Sequence, residues 1–286
     1  MRWLSCLHQE DNMTTADFIR LGVFAVMLVI MAFWEMLAPR RPLIASKTLR
    51  WSGNFGILAI DTVLVRLFFT VLPVAMAQRA QGAGWGILNL VSIPVWLKVI
   101  IGIMLLDLAI YLQHLMLHAV PVFWRLHMMH HADVDFDFTT GVRFHPVEIL
   151  LSMVIKLAAV AVIGPLPLAV LLFEVFLNAT SMFNHGNVRL PTQADRFLRL
   201  IVVTPEMHRV HHSVIPKETN SNFGFNFPWW DRIAGTYRDQ PEAGHEGMTI
   251  GLKQFQAIKR QTLFWMLALP FKGKVGKYPI NLRGGN

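Results

Sequence analysis

Ten of the 12 histidines of this chain fall between residues 114 and 212, and their spacing points to metal chemistry. His114 and His118 are four residues apart, which on a helix stacks both imidazoles on one face where they can share an ion. His127, His130 and His131 stand at i, i+3 and i+4, within a sector roughly 100° wide. The same five-residue pattern recurs as His208, His211 and His212, so two helical turns offer three imidazoles each toward a common centre. One ion cannot use all eight. A neutral imidazole binds a divalent cation through its unprotonated ring nitrogen, so so many in a small volume imply two ions. His8 and His245 stand apart and read as ordinary.

Imidazole suits iron, zinc, copper and nickel alike, so the donor set alone leaves the metal open. The H-E-x-x-H pattern of hydrolytic zinc sites is absent. Asp133, Asp135, Asp137, Glu148 and Glu206 lie near the motifs and are expected to accept hydrogen bonds from the distal ring N–H groups, or else to belong to solvated loops. Asp107, Tyr111, His114 and His118 form an i, i+4, i+7, i+11 stripe, in which Asp107 reads slightly better as a structural acid bonded to a neighbouring helix than as an orienter of a ligand. Phe136, Phe138, Phe144, Phe223, Phe225, Phe227, Trp229 and Trp230 flank the motifs; packing or an interfacial belt is preferred over substrate contact.

The elements that must hold these rings are apolar. Of 286 residues 54% are hydrophobic and 15% charged, against roughly 25% charged in soluble domains, so the fold class expected is all-α: a multi-pass helical membrane protein with about four or five apolar helices, some of them re-entrant, and a cytoplasmic helical cap that carries the histidines. The apolar runs are about 18–38, 54–77, 96–118, 147–163 and 168–184, the last two forming a thin hairpin about Gly164-Pro165-Leu166-Pro167. In the second run Asp61 and Arg66 are expected to neutralise each other. The segment 252–271 reads as an amphipathic interfacial helix. Three parts follow: N-terminal membrane helices over 1–95, a catalytic domain over 96–240 that includes the hairpin 147–184, and a basic interfacial tail over 241–286.

Charge sets orientation. Segments 39–53, 119–146 and 186–205 hold nine Lys/Arg and segments 1–17 and 78–95 hold two, which places the histidine-bearing segments in the cytoplasm. The net charge of +8 is concentrated beyond residue 185, where 14 Lys/Arg face seven Asp/Glu; scattered among apolar residues, these cations suit an anionic leaflet rather than a nucleic acid. The single cysteine, Cys6, excludes an internal disulfide, a thiolate zinc site built by this chain alone and a cysteine-ligated cluster.

The motifs together, Asp107 through His118, Trp124 through His131, Arg143-Phe144-His145-Pro146, Asn184-His185-Gly186-Asn187, Thr204 through His212 and Thr219 to Tyr237, resemble the fatty acid hydroxylase superfamily and, within it, the sterol desaturase-like proteins. The resemblance covers about residues 100–240 and implies an all-histidine centre of two iron ions on the cytoplasmic side that uses O2 to hydroxylate or desaturate an apolar lipid. It carries the ligand role onto His114, His118, His127, His130, His131, His208, His211 and His212, adds His185 as the family's additional histidine, and reaches His145 through a looser match. The chain has no nucleotide-binding glycine fingerprint and no flavin motif, so a separate reductase or small electron carrier is expected. A zinc-dependent membrane lipid hydrolase and a divalent-metal transporter are the competing readings; a transporter needs ligands spread through the membrane depth, and here they sit at one end.

Overall fold

The computed structural model describes residues 15–272 and 274–282, so Cys6 and His8 lie outside the described residues. The described chain is all-helical, with two isolated β-bridges, Pro39 with Val188 and Ser213 with Ile250, as its extended pairings. The helices are α1 Thr15–Leu37, α2 Lys47–Phe68, α3 Pro73–Ala83, α4 Ile87–Leu90, α5 Val95–Ala119, α6 Pro121–His131, α7 Pro146–Ile163, α8 Pro167–Asn184, α9 Thr192–Leu198, α10 Pro205–His211, α11 Pro216–Thr219, α12 Trp229–Ala234, α13 Gly244–Gly247 and α14 Leu263–Lys272.

Five stretches are long and apolar enough to cross a membrane: α1, the run Lys47–Leu90, α5, α7 and α8. Their outward side chains are apolar, as at Phe18, Phe33, Leu37, Leu67, Trp96 and Val154, which suits a hydrocarbon surround. The run expected over 54–77 is broken at residues 69–72, where Pro73 occupies the first turn of a new helix and α2 ends. The pair expected inside α2 does not form. Arg66 reaches Asp17 of α1 at 3.6 Å, and Asp61 Oδ1 has no hydrogen-bond partner. The interfacial helix expected over 252–271 is helical in its last part, as α14 with Pro270 inside; Lys253–Phe255 and Ile258–Gln261 are 3-10 turns.

Proline punctuates the elements that carry the site. Pro121, Pro146, Pro167 and Pro205 each stand in the first turn of a helix, where a missing N–H costs nothing and φ is already set. Val120 breaks α5 from α6, folding the His114–His118 face toward His127–His131. On the opposite side of the bundle Gly86 (φ 87) meets Gly164 (φ 65) so tightly that a Cβ on Gly86 would lie 2.3 Å from the Gly164 nitrogen. That contact locks the α3–α4 loop onto the α7–α8 turn.

The histidine-bearing end is closed by the C-terminal segment. Leu252, Phe255, Met266, Leu269 and Tyr278 pack on Ile57, Trp124, Met128 and Met129 in one core, with Trp124 and Tyr278 stacked at 5.7 Å. Arg50, fully buried at the start of α2, pairs with Asp133 at 2.8 Å and with Asp137, tying the membrane helices to the loop after α6. Arg143 is equally buried; it donates to the Met129 carbonyl at 3.0 Å and to Gln261 at 2.8 Å.

Candidate metal centre

Nine of the ten histidines singled out in the sequence converge in two adjoining buried groups. One holds His114, His118, His127, His131 and His211; the other holds His130, His185, His208 and His212; within each, one nitrogen per ring lies within 4.8 Å of the others. The helix explains the division. Residues i and i+4 project within about 40° of each other while i+3 projects to the other side of i, so His127 and His131 enter one group and His130 the next. The second motif divides in the opposite sense, His208 and His212 in one group and His211 in the other. Three rings per motif toward one point, as the sequence suggested, is therefore replaced by two and one. The groups touch: the His131 and His212 rings stack at 4.6 Å and those of His208 and His211 at 5.0 Å.

Backbone carbonyls aim the rings. The Nδ1–H groups donate to Phe223 O from His114 (2.7 Å), to Arg143 O from His130 (3.2 Å), to Ser181 O from His185 (2.7 Å) and to Ser221 O from His211 (2.7 Å). His118 Nδ1 donates to Asn220 Oδ1 at 2.9 Å, and the Asn220 amide is fixed by its own bond to Tyr278 O. His127 Nδ1 faces Glu148 Oε1 at 2.7 Å. A carbonyl oxygen accepts and cannot donate, so the hydrogen of these neutral rings sits on Nδ1 and the lone pair on Nε2. Burial keeps the rings neutral: it drives His127 and His185 down to about 3 and holds His130, His131, His208, His211 and His212 well below the ordinary imidazole range.

The Nε2 atoms then face one another. His114 Nε2 lies 3.1 Å from those of both His127 and His211, His131 Nε2 is 3.1 Å from His118 Nε2, and His185 Nε2 is 3.2 and 3.1 Å from those of His130 and His208. Where both lone pairs point inward such a contact is repulsive unless a cation sits between them. Nitrogens at about 2.0–2.1 Å from a shared ion lie about 2.9 Å apart at right angles and about 3.4 Å apart in a tetrahedron, which brackets the observed spacing. Both ring nitrogens of His212 are buried without a hydrogen-bond partner, as are His131 Nδ1 and His208 Nδ1. The residues present fit two divalent ions.

His145 joins neither group. It caps α7, its Nδ1 accepting from the Val147 N–H at 3.2 Å, while Nε2 faces the Leu267 carbonyl at 3.3 Å. The acids are also placed differently from expectation, since of the five only Glu148 contacts one of the clustered rings in the described structure. Asp133 and Asp137 hold Arg50, Asp135 accepts from the Ile44 and Ala45 N–H groups, and Glu206 pairs with Arg40, Arg209 and His245. Burial would raise Asp133, but Arg50 and Arg143 beside it hold it down to about 2. Asp107 is the structural acid, accepting from Trp230 Nε1 at 2.8 Å.

A cavity of about 650 Å³ reaches the first group from within the helix bundle. His114, His127, Phe144 and Phe225 close its inner end, and Leu21, Phe24, Leu58, Val65, Ile110, Leu117 and Leu177 supply apolar wall. Two of the flanking aromatics thus line the channel. Phe223 packs on His114, His118 and His211, and Phe136 on His185 and His212, shielding both groups.

Residues 99–236 match the Fatty acid hydroxylase family. The chain is 29% identical over 195 residues to the ornithine lipid hydroxylase OlsE of Rhizobium tropici, covering 66% of this chain and 56% of that protein. It is 28% identical over 202 residues to the alkylglycerol monooxygenase of Homo sapiens (66% and 42%), and 30% identical over 148 residues to the cholesterol 25-hydroxylase of Rattus norvegicus (51% and 48%). The chain spans about half the length of these curated relatives. No solved structure gives a significant match. The matched segment contains all nine clustered histidines, and in it the chain is similar to the fatty acid hydroxylase family.

Proposed function

We propose that this protein is a membrane-embedded oxygenase that holds two iron ions on His114, His118, His127, His131, His211 and on His130, His185, His208, His212, and uses O2 and external electrons to hydroxylate or desaturate a lipid. The observation that carries the reading is the convergence of nine neutral imidazoles, with lone pairs facing inward, at one end of a largely apolar cavity. Five nitrogen donors in one group exceed the four of a structural zinc site, which favours iron over the hydrolase reading. Hydroxylation balances as R–H + O2 + 2 e− + 2 H+ giving R–OH + H2O; desaturation consumes the same electrons and releases two waters.

Iron, when bound, supplies O2 activation and the oxidant for an unactivated C–H bond, which side-chain acids and bases cannot attack. The chain's own work is positional. Carbonyls of Arg143, Ser181, Ser221 and Phe223 fix the ring tautomers, Phe136 and Phe223 exclude water, and the cavity aligns a lipid between Phe144 and Phe225 with a C–H bond toward His114 and His127. The relatives named above are, by their names, a hydroxylase of ornithine lipid, a monooxygenase of alkylglycerols and a hydroxylase of cholesterol, all lipids with a polar group. Electrons come from a separate carrier, and the distribution of Lys and Arg favours the cytoplasmic side for the centre.

The test is metal analysis of protein purified under reducing conditions, joined to lipid mass spectrometry of cells with and without it. Two irons per chain and an O2-dependent gain of 16 mass units, or loss of two, are expected. Zinc with oxygen-independent activity, or metal flux into vesicles, overturns the reading.

A further inference from the structure

The cavity is not uniformly apolar. Along α7, Glu148, Ser152 and Lys156 recur at every fourth residue and so share one face, and all three line the cavity. Gln113 of α5 joins this face by donating from Nε2 to Ser152 Oγ at 2.6 Å, and Asp61 of α2 lines the same space. Three oxygens of this wall, Asp61 Oδ1, Gln113 Oε1 and Glu148 Oε2, are buried without any hydrogen-bond partner, on side chains at least nine-tenths buried. Glu148 lies at the inner end, touching His127 through its other oxygen; Gln113 directly precedes His114 in α5, and Asp61 is near enough to Glu148 to interact with its charge. A polar atom buried without a partner is unfavourable and is normally satisfied.

All three are acceptor oxygens. By contrast, the charges toward the other end are already engaged: Arg20 with Asp17 and with Glu174 at 2.6 Å, Lys156 with Glu174 at 3.4 Å, Arg66 with Asp17. Unused hydrogen-bonding capacity is thus concentrated beside the histidines, and it is of one kind.

We propose that Asp61, Gln113 and Glu148 form a subsite for a hydrogen-bond-donating group of the lipid, hydroxyl or ammonium, bound next to the metal centre. The subsite selects lipids that enter donor-bearing end first, so the carbon oxidised lies beside the polar group and the hydrocarbon tail fills the space between Phe24, Leu58 and Leu177. The inference rests on the oxygenase reading for its chemistry; the binding claim stands on the cavity alone. A site built around buried acceptors discriminates strongly against an analogue that lacks the donor, because binding it leaves those acceptors unpaired.

The experiment uses the purified full chain in detergent and three probes of equal chain length: 1-O-hexadecylglycerol, hexadecylamine and the donor-free methyl hexadecanoate. Thermal midpoints and equilibrium binding are read with iron loaded and with iron removed. The hydroxyl or the amine probe, whichever source of the donor is correct, is expected to bind at least about tenfold more tightly than the ester. Asp61→Leu combined with Gln113→Leu should erase that preference while metal content stays as in wild type. Asp61→Asn, which keeps an acceptor but no charge, retains a preference for the hydroxyl probe and loses one for the amine. Equal binding of the ester, or an unchanged preference in the double variant, overturns the subsite; so does oxygen inserted in mid-chain of a bound donor lipid. A double variant that fails to fold shows itself in its probe-free midpoint, and the single variants Asp61→Asn and Gln113→Glu then carry the test, the added acid of the latter shifting preference toward the amine. Absence of iron or of O2 consumption would strike the oxygenase reading and leave the binding result standing.

Discussion

His212 belongs to a spaced motif and His145 to a looser match, and the two have opposite fates in the fold. Both ring nitrogens of His212 are buried and unpaired inside a group of four imidazoles, whereas His145 spends one nitrogen on the Val147 N–H and faces the other to a carbonyl. His212→Ala is therefore expected to lower bound metal from two ions toward one and activity by at least about tenfold, read by elemental analysis and product formation. His145→Gln should keep both ions and cost only the cap, about 1 kcal/mol of stability by thermal unfolding. Acid acts on the same rings. Their folded pKa lies below the unfolded value of about 6.5, at about 3 for His127 and His185, so the stabilisation from keeping them neutral is complete above 6.5 and drains away as pH falls toward 3. Metal content and thermal midpoint measured between pH 7.5 and pH 5 should fall together; a flat profile would mean that the rings are not held neutral.

At the scale of elements, the i, i+3, i+4 histidine spacing was legible because it is local, and so were the five apolar runs. Partners set by tertiary packing were not. The acceptors that aim the rings are mostly main-chain carbonyls, which every residue carries and no residue type announces. Asp61 and Arg66 look like a pair along one helix, yet Arg66 turns to Asp17 of α1, a choice that depends on which helix lies alongside. Arg50 is the plainest case: 83 residues from Asp133 in sequence, it is fully buried against it. Arg50→Met removes the cation and strands two buried carboxylates, so a loss of about 3–5 kcal/mol is expected from denaturant unfolding. Asp137→Asn combined with Arg50→Met should recover much of it, since the remaining Asp133 is then balanced by the buried Arg143 at 3.8 Å.

For the molecule as a whole, the bundle has two distinct ends. The histidine groups, the Arg50 cage and the C-terminal core of Trp124 and Tyr278 occupy one; the Gly86–Gly164 contact and the start of α5 occupy the other. Ser92 is exposed in the bend before α5, and Lys259 is exposed in the 3-10 turn whose Gln261 donates to the Ala132 carbonyl beside the site. From the excess of Lys and Arg around the histidine-bearing segments we propose that this end faces the cytoplasm. In a Cys6→Ser background, Ser92→Cys should react with a membrane-impermeant maleimide in intact cells, while Lys259→Cys should react only after permeabilisation. The reverse pattern would turn the histidine groups outward and overturn both the proposed orientation and the proposed supply of electrons from a cytoplasmic carrier.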